Sequence, residues 1–365
     1  MKVRYSYLKQ QFSNCPDLWR NLKKFVATSD FTLGKELKKF EKNFAKLIGT
    51  KYAVGVNSGT DALKLSLKSI GILPGDEVIT AANTFVATVG AIVEIGAKPI
   101  FVDCDDTFCI NSKLIEKSIT NKTKAIVPVH FTGYMPDMEE IIKISKKYKI
   151  PIIEDACQSI LGSFNNKNAG TWGITGAFSL HPLKNINVWS DGGIITTNSS
   201  KIYKRLKLLR NHGLSDRDTV QISGFNSRLD TFQAVVGNWI LPKAKDIAKK
   251  RIKNAEYLDN GLSKINEITI PPRLKKIRSV FHLYIVFAKN RDGLLNYCIK
   301  KGIEAKIHYP KPMYLQKSLS NLNHKKGDFP VTDEHVKKII TFPCDQHLAK
   351  NQLDYIIRTV KNFYQ

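Results

Sequence analysis

No two of the six cysteines stand at CxxC spacing, and no histidines complete a zinc-ligand pattern with them. Cys15, Cys104, Cys109, Cys157, Cys298 and Cys344 are scattered singly, which argues against both a metal site and a secreted disulfide framework. Long apolar runs are missing as well. The longest uncharged stretch, 78–93, is broken by Asn83, Thr84 and Thr88 and falls short of the ~20 residues of a membrane helix. The opening MKVRYSYLKQQF holds no apolar run, so no signal peptide is expected and reducing cytoplasm is the expected compartment. Internal repeats and low-complexity segments are absent too.

Acidic residues are scarce: 32 against 57 lysines and arginines, for a net charge of +25. Such a balance invites a nucleic-acid reading. However, the lysines run through the whole chain, with no helix-turn-helix pattern, RNA-binding aromatic motif or Arg-rich segment. They read as solvated faces, and neither nucleic acid nor membrane is expected as a partner. The positive field favours an anionic small molecule such as a nucleoside diphosphate sugar.

What is present is a chain of 365 residues, 42% hydrophobic and 24% charged, long enough for a large domain and a smaller one. Short β-branched runs (KYAVGV, EVITAA, PIFVDC, AIVPVH, PIIEDA, GAFSL, GGIITTN) begin at residue 51. Between them lie amphipathic stretches at 60–70, 85–95, 113–119 and 138–148. That alternation predicts βαβ units and a mainly parallel sheet. A helical stretch over 229–265, kinked at Pro242, reads as a connector, which puts a boundary near residue 245. The expected units are therefore 1–245 and 246–365. The second contains HLYIVFA and EAKIHY as extended segments and helices over 292–301 and 351–363.

In open α/β sheets ligands bind beyond the carboxyl ends of the strands. Three segments follow apolar runs in that way. In VNSGTDAL (56–63), Gly59 permits a tight turn, and Ser58 and Thr60 stand where a helix begins. The segment suits a phosphate, although an ordinary helix N-cap carries the same residues. In IIEDACQS (152–159), Asp155 ends an apolar strand, where a carboxylate needs a cationic partner, a structural ion pair or a cap. In FSLHPLKNINVWSDGG (178–193), Lys184 follows a strand between Pro182 and Asn185. An amine becomes a nucleophile where its surroundings lower its pKa, but most lysines are solvated surface groups.

These segments, with NTFVAT, RNHG and GFNSRLDTFQA, occur in an order that closely resembles the DegT/DnrJ/EryC1/StrS sugar aminotransferases. FTLGKELKKFEKNFAKLIG, GIEAKIHYPKPMYLQ and FPCDQHL extend the resemblance over essentially the whole chain. It implies a fold type I pyridoxal-phosphate enzyme: a large α/β domain on a mainly parallel seven-stranded sheet, a smaller C-terminal α/β domain, and a homodimer. By position, Lys184 matches the Schiff-base lysine, Asp155 the pyridinium partner, Gln158 the glutamine near the phenolic oxygen, and Phe85 the ring-stacking residue. Gly59, Thr60 and Ser179 match phosphate-binding positions, and Asn226 matches an asparagine that reaches the neighbouring subunit's phosphate. His181, His308 and Tyr309 match positions near the sugar.

The resemblance implies transfer of an amino group from glutamate to a keto sugar. The SDGG loop points to a nucleoside-diphosphate-linked 3-keto-deoxyhexose as acceptor. A 4-keto nucleotide sugar and an eight-carbon keto-sugar acid are the alternatives, because Asn187 and Trp189 depart from the glycine-richer loop of relatives. Lys184 stands where dehydratase relatives carry histidine, which disfavours dehydration. A regulatory or DNA-binding homologue is the alternative from another class.

Overall fold

The computed structural model describes all 365 residues. Seven strands build the main sheet: β1 (Tyr52–Val56), β2 (Glu77–Ala81), β3 (Lys98–Val102), β4 (Thr123–Val127), β5 (Ile153–Asp155), β6 (Thr175–Ser179) and β7 (Gly193–Thr197). Each falls on one of the β-branched runs. Their order is β3-β2-β4-β5-β6-β7-β1, with parallel bridges Ile126–Ile152 and Val129–Asp155 joining β4 to β5. Only β7 runs antiparallel, between β6 and β1. The fold is thus the mainly parallel, seven-stranded α/β class expected.

The strand residues are nearly all buried because both faces of the sheet are covered. Helix α1 (Lys35–Ile48) buries Leu37, Phe40, Phe44 and Ile48 in one core, beneath Phe178 and Ile194. Helices α2 (Gly59–Ser69) and α3 (Val86–Glu94) contribute Leu63, Leu67, Ala91 and Ile92 to the core that holds Val54, Val78 and Ile195. The connector breaks at Pro242 as expected, into α4 (Thr231–Ile240), a 3-10 turn, and α5 (Ala244–Leu262).

Beyond it, β8 (Ile268–Thr269), β9 (Tyr284–Ala288) and β10 (Ile339–Phe342) pair antiparallel, covered by α5 and by α6 (Lys350–Tyr364). Two details differ from the sequence reading. EAKIHY makes only one bridge, Lys306 to Thr341 beside β10, because Pro310 and Pro312 prevent further pairing. Val3 and Tyr7 pack in the core of the C-terminal layer, with the Val3 amide donating to Gly302 O at 2.9 Å, so the first residues sit with that layer rather than with the large one. No helix is long and apolar enough to cross a membrane.

Candidate active site

The carboxyl ends of β1, β4, β5 and β6 open into one cavity of about 350 Å3. Gly59, Thr60, Phe85, Asp155, Gln158, Ser179, His181, Lys184, His308 and Tyr309 all line it. Residues spread over 250 positions of sequence therefore meet where sheet topology says a ligand should bind.

Asp155 is buried at the end of β5. Its Oδ2 accepts a hydrogen bond from Thr88 Oγ1 at 2.7 Å, and its Oδ1 one from the Cys157 amide at 3.1 Å. Because Thr88 spends its proton on Asp155, the Thr84 hydroxyl 2.8 Å away must donate to Thr88. These hydrogen-bond partners are neutral, so the carboxylate is oriented and keeps its charge for a nearby cation.

Lys184 sits in the turn after β6, where its amide donates to His181 O at 2.8 Å. Burial pushes its amine below the ordinary lysine range, while negative charge on Cys157 and Asp155 opposes that shift. Burial also pushes the Cys157 thiol far up, so it stays protonated and Asp155 supplies the opposing charge. Lys184 is thereby biased toward the free amine that a nucleophile needs.

At the start of α2 the Ser58 hydroxyl caps the helix, accepting from the Asp61 amide at 3.0 Å. Gly59 lies so close to the neighbouring turn that a Cβ there would stand 2.7 Å from Ser179 Cβ and 3.1 Å from Cys157 Sγ. The resulting concavity exposes helix N-terminal amides next to the Ser179 hydroxyl, the arrangement that holds phosphate. Gln158 Oε1 accepts from the Thr132 amide at 2.7 Å, which leaves its NH2 group as the donating end. Phe85, 46% exposed, offers an uncovered ring at the cavity wall, 5.7 Å from Tyr309.

Buried carboxylate, amine, phosphate cradle and open aromatic face are the four features pyridoxal phosphate requires, and the residues fit it. His181 Nδ1 accepts from the Leu183 amide at 3.2 Å, which fixes the proton on Nε2. His308 Nδ1 lies 2.9 Å from the Thr341 hydroxyl. Burial, with help from the Lys306 and Lys184 charges, lowers the His308 pKa to about 4.

The model of the DegT/DnrJ/EryC1/StrS aminotransferase family matches residues 16–361. The chain belongs to this family. It is 35% identical over 369 residues to a pleiotropic regulatory protein of Geobacillus stearothermophilus, with 100% of this chain and 99% of the relative covered. It is 34% identical over 335 residues to the dTDP-3-amino-3,4,6-trideoxy-alpha-D-glucose transaminase of Streptomyces venezuelae, covering 91% and 88%. Among solved structures, S. venezuelae DesV in complex with a ketimine intermediate superposes with a TM-score of 0.97 at 31% identity, covering 100% and 99%. This DegT-family member is a pyridoxal-phosphate-dependent aminotransferase, as its motifs implied.

Three anticipated residues lie outside the cavity. Asn226 is exposed and bridges Asn211 through its backbone. Asn187 is fully buried, and Trp189 packs edge-on against Phe12 at 5.6 Å and beside Trp19 at 5.4 Å. Neither loop residue touches the cavity of its own chain. Conversely, Tyr5, His282 and Lys306 line it and were not anticipated. His282 sits two residues before Tyr284 in the HLYIVFA run, a usable signal. Nothing local marks Tyr5, whose amide donates to Glu304 Oε2 at 2.9 Å, 299 residues away.

Proposed function

We propose that this enzyme moves the amino group of glutamate to a keto sugar carried on a nucleoside diphosphate, aminating C3, and that it works in the cytoplasm as a homodimer. The observation that carries the chemistry is the pairing of a buried Asp155, hydrogen-bonded only to neutral groups, with a depressed Lys184 amine in one cavity. The Streptomyces relative is named for a dTDP-linked 3-amino sugar, which supports the acceptor class.

Pyridoxal phosphate, when bound, supplies a carbonyl that takes up the amino group and a ring that withdraws electrons. Gly59, Thr60 and Ser179 would hold its phosphate, Phe85 would cover its ring and Gln158 would donate to its phenolic oxygen. Asp155 keeps the pyridine nitrogen protonated, since an adjacent carboxylate stabilises that cation. Lys184 Nζ takes the proton from the amine-bearing carbon of glutamate and later delivers one to the carbon that carried the sugar's carbonyl. His181, His308 and Tyr309 orient the sugar.

Exposed Trp19, Phe31 and Phe232, at 60%, 50% and 40%, form an aromatic surface that suits a subunit contact. The exposure of Asn226 outside its own cavity supports a role for it at the partner's phosphate site. The six free thiols agree with a reducing compartment.

The test runs the two half-reactions separately on purified enzyme. Glutamate should shift the cofactor absorbance. A panel of 3-keto, 4-keto and acid sugars should then return it, with products read by mass spectrometry. If only a sugar lacking a nucleotide accepts the amine, the substrate assignment falls and the transaminase remains.

A further inference from the structure

Lys306 lines the cavity and has no carboxylate partner within ion-pair distance. In a chain with 57 lysines and arginines an unpaired lysine is ordinary, so that alone decides nothing. Two constraints set this one apart. Its backbone is pinned in both directions, the amide donating to Thr341 O at 3.0 Å and the carbonyl accepting from the Thr341 amide at 2.8 Å. Its ammonium rests over the Tyr5 ring, 4.2 Å from the centroid.

Tyr5 is itself held. Its amide donates to Glu304, which also commits the nearest carboxylate in sequence to a backbone amide. The flanking backbone is zipped to 302–304 by Val3 N to Gly302 O and Glu304 N to Val3 O, both 2.9 Å. The ring also stacks on His308, with centroids 5.8 Å apart and planes 27° from parallel. A cation resting on an aromatic face keeps its other hydrogens free to donate. The remaining acidic wall residues are Asp155, engaged by Thr88 and the Cys157 amide, and Asp191 on the SDGG turn.

We infer that Lys306, held over the cavity by the Tyr5 ring, seats an oxyanion of the substrate: a phosphate of the nucleotide sugar or a carboxylate of the amino donor. The inference rests on the aminotransferase reading above and adds to it a specificity residue, with Tyr5 as its positioning residue. It also explains the placement of the N-terminal segment, which brings an aromatic ring across the chain to the single place where it supports this lysine.

The experiment uses holoenzyme, with dTDP binding measured by calorimetry and the glutamate half-reaction by stopped-flow absorbance. Lys306→Gln should weaken one of the two ligands by about tenfold, the order expected for one charge-assisted hydrogen bond at a partly exposed site. The maximal rate of the half-reaction should change less than about twofold, because Lys306 moves no proton. Lys306→Arg should restore the affinity, Tyr5→Leu should reproduce part of the loss, and Lys249→Gln, at an exposed position of α5, controls for net charge. Weaker dTDP assigns the seat to phosphate, and a raised KM for glutamate assigns it to the donor's carboxylate. Unchanged values for both ligands in Lys306→Gln overturn the inference. A wild-type enzyme that glutamate cannot convert would instead remove glutamate as the donor in the proposed function, with the dTDP arm still deciding whether the anion seat exists.

Discussion

At the sheet rim, Asp155 is fixed by hydrogen bonds of 2.7 and 3.1 Å, and a Cβ added at Gly59 would stand only 2.7 Å from Ser179 Cβ. Across the cavity, in the part built by the C-terminal layer and the N-terminal segment, Lys306 has no carboxylate and His308 is held neutral. The first region is rigid and pre-oriented around one fixed group. The second presents donors and a charge that wait for something variable. A cofactor that never changes and a sugar that does would need that division, and preorganisation is most useful where the chemistry is fixed.

The strongest way to break this contrast is Lys184→Ala. Nucleophile and proton carrier are lost together, so both half-reactions should fall by at least about a thousandfold. Circular dichroism should remain native, because the turn is held by backbone bonds rather than by the amine. A variant that keeps even a tenth of wild-type turnover would remove Lys184 from the mechanism. Asp155→Asn comes next, with an expected loss of about a hundredfold in the glutamate half-reaction. The amide can still accept from Thr88 but cannot hold a neighbouring nitrogen protonated. If the cofactor stays bound and the rate is unaltered, the electron-withdrawing role is wrong.

The same contrast governs what could be read in the sequence. The seven strands and the Gly59, Asp155 and Lys184 turns are each encoded within a few residues: an apolar run, then a polar group. Local patterns suffice for them. EAKIHY looked like a strand because its alternation is right, and only the prolines behind it and the single free edge of β10 limit it to one bridge. Tyr5 was invisible because its role depends on a partner 299 residues away. Asn187 and Trp189 depart from the family loop, yet one fills the core and the other packs on Phe12 and Trp19, so within one chain the departure changes packing and not the cavity wall.

Gly59→Ala tests the rigid region without touching chemistry. The added methyl must displace Ser179 or Cys157, and the helix amides retreat from the phosphate. Cofactor affinity should weaken by about tenfold, with a stability loss of roughly 1–3 kcal/mol from overpacking. Equilibrium dialysis of the cofactor would check it, and wild-type affinity would remove the cradle from the phosphate site.

The smallest effect is a pH dependence in the adaptable region. His308 titrates near 4 when folded, lowered by burial first and then by Lys306 and Lys184, against about 6.5 in an unfolded chain. Between those values the unfolded state binds more protons, so stability is full above about 6.5 and declines as pH falls toward 4. Neutral His282 and His335, also lowered by burial, push the same way, so the comparison must be made between variants. His308→Asn should flatten the wild-type slope in that window by at most about 3 kcal/mol in total. Lys306→Gln removes one of the charges that repel the protonated ring, so the folded pKa of His308 should rise and the acid limb of sugar amination should move to higher pH. Histidine titration followed by NMR would read that shift directly. If the pKa of His308 stays put when Lys306 loses its charge, the two side chains do not share a field, and the adaptable region is a set of independent donors and not one electrostatic unit.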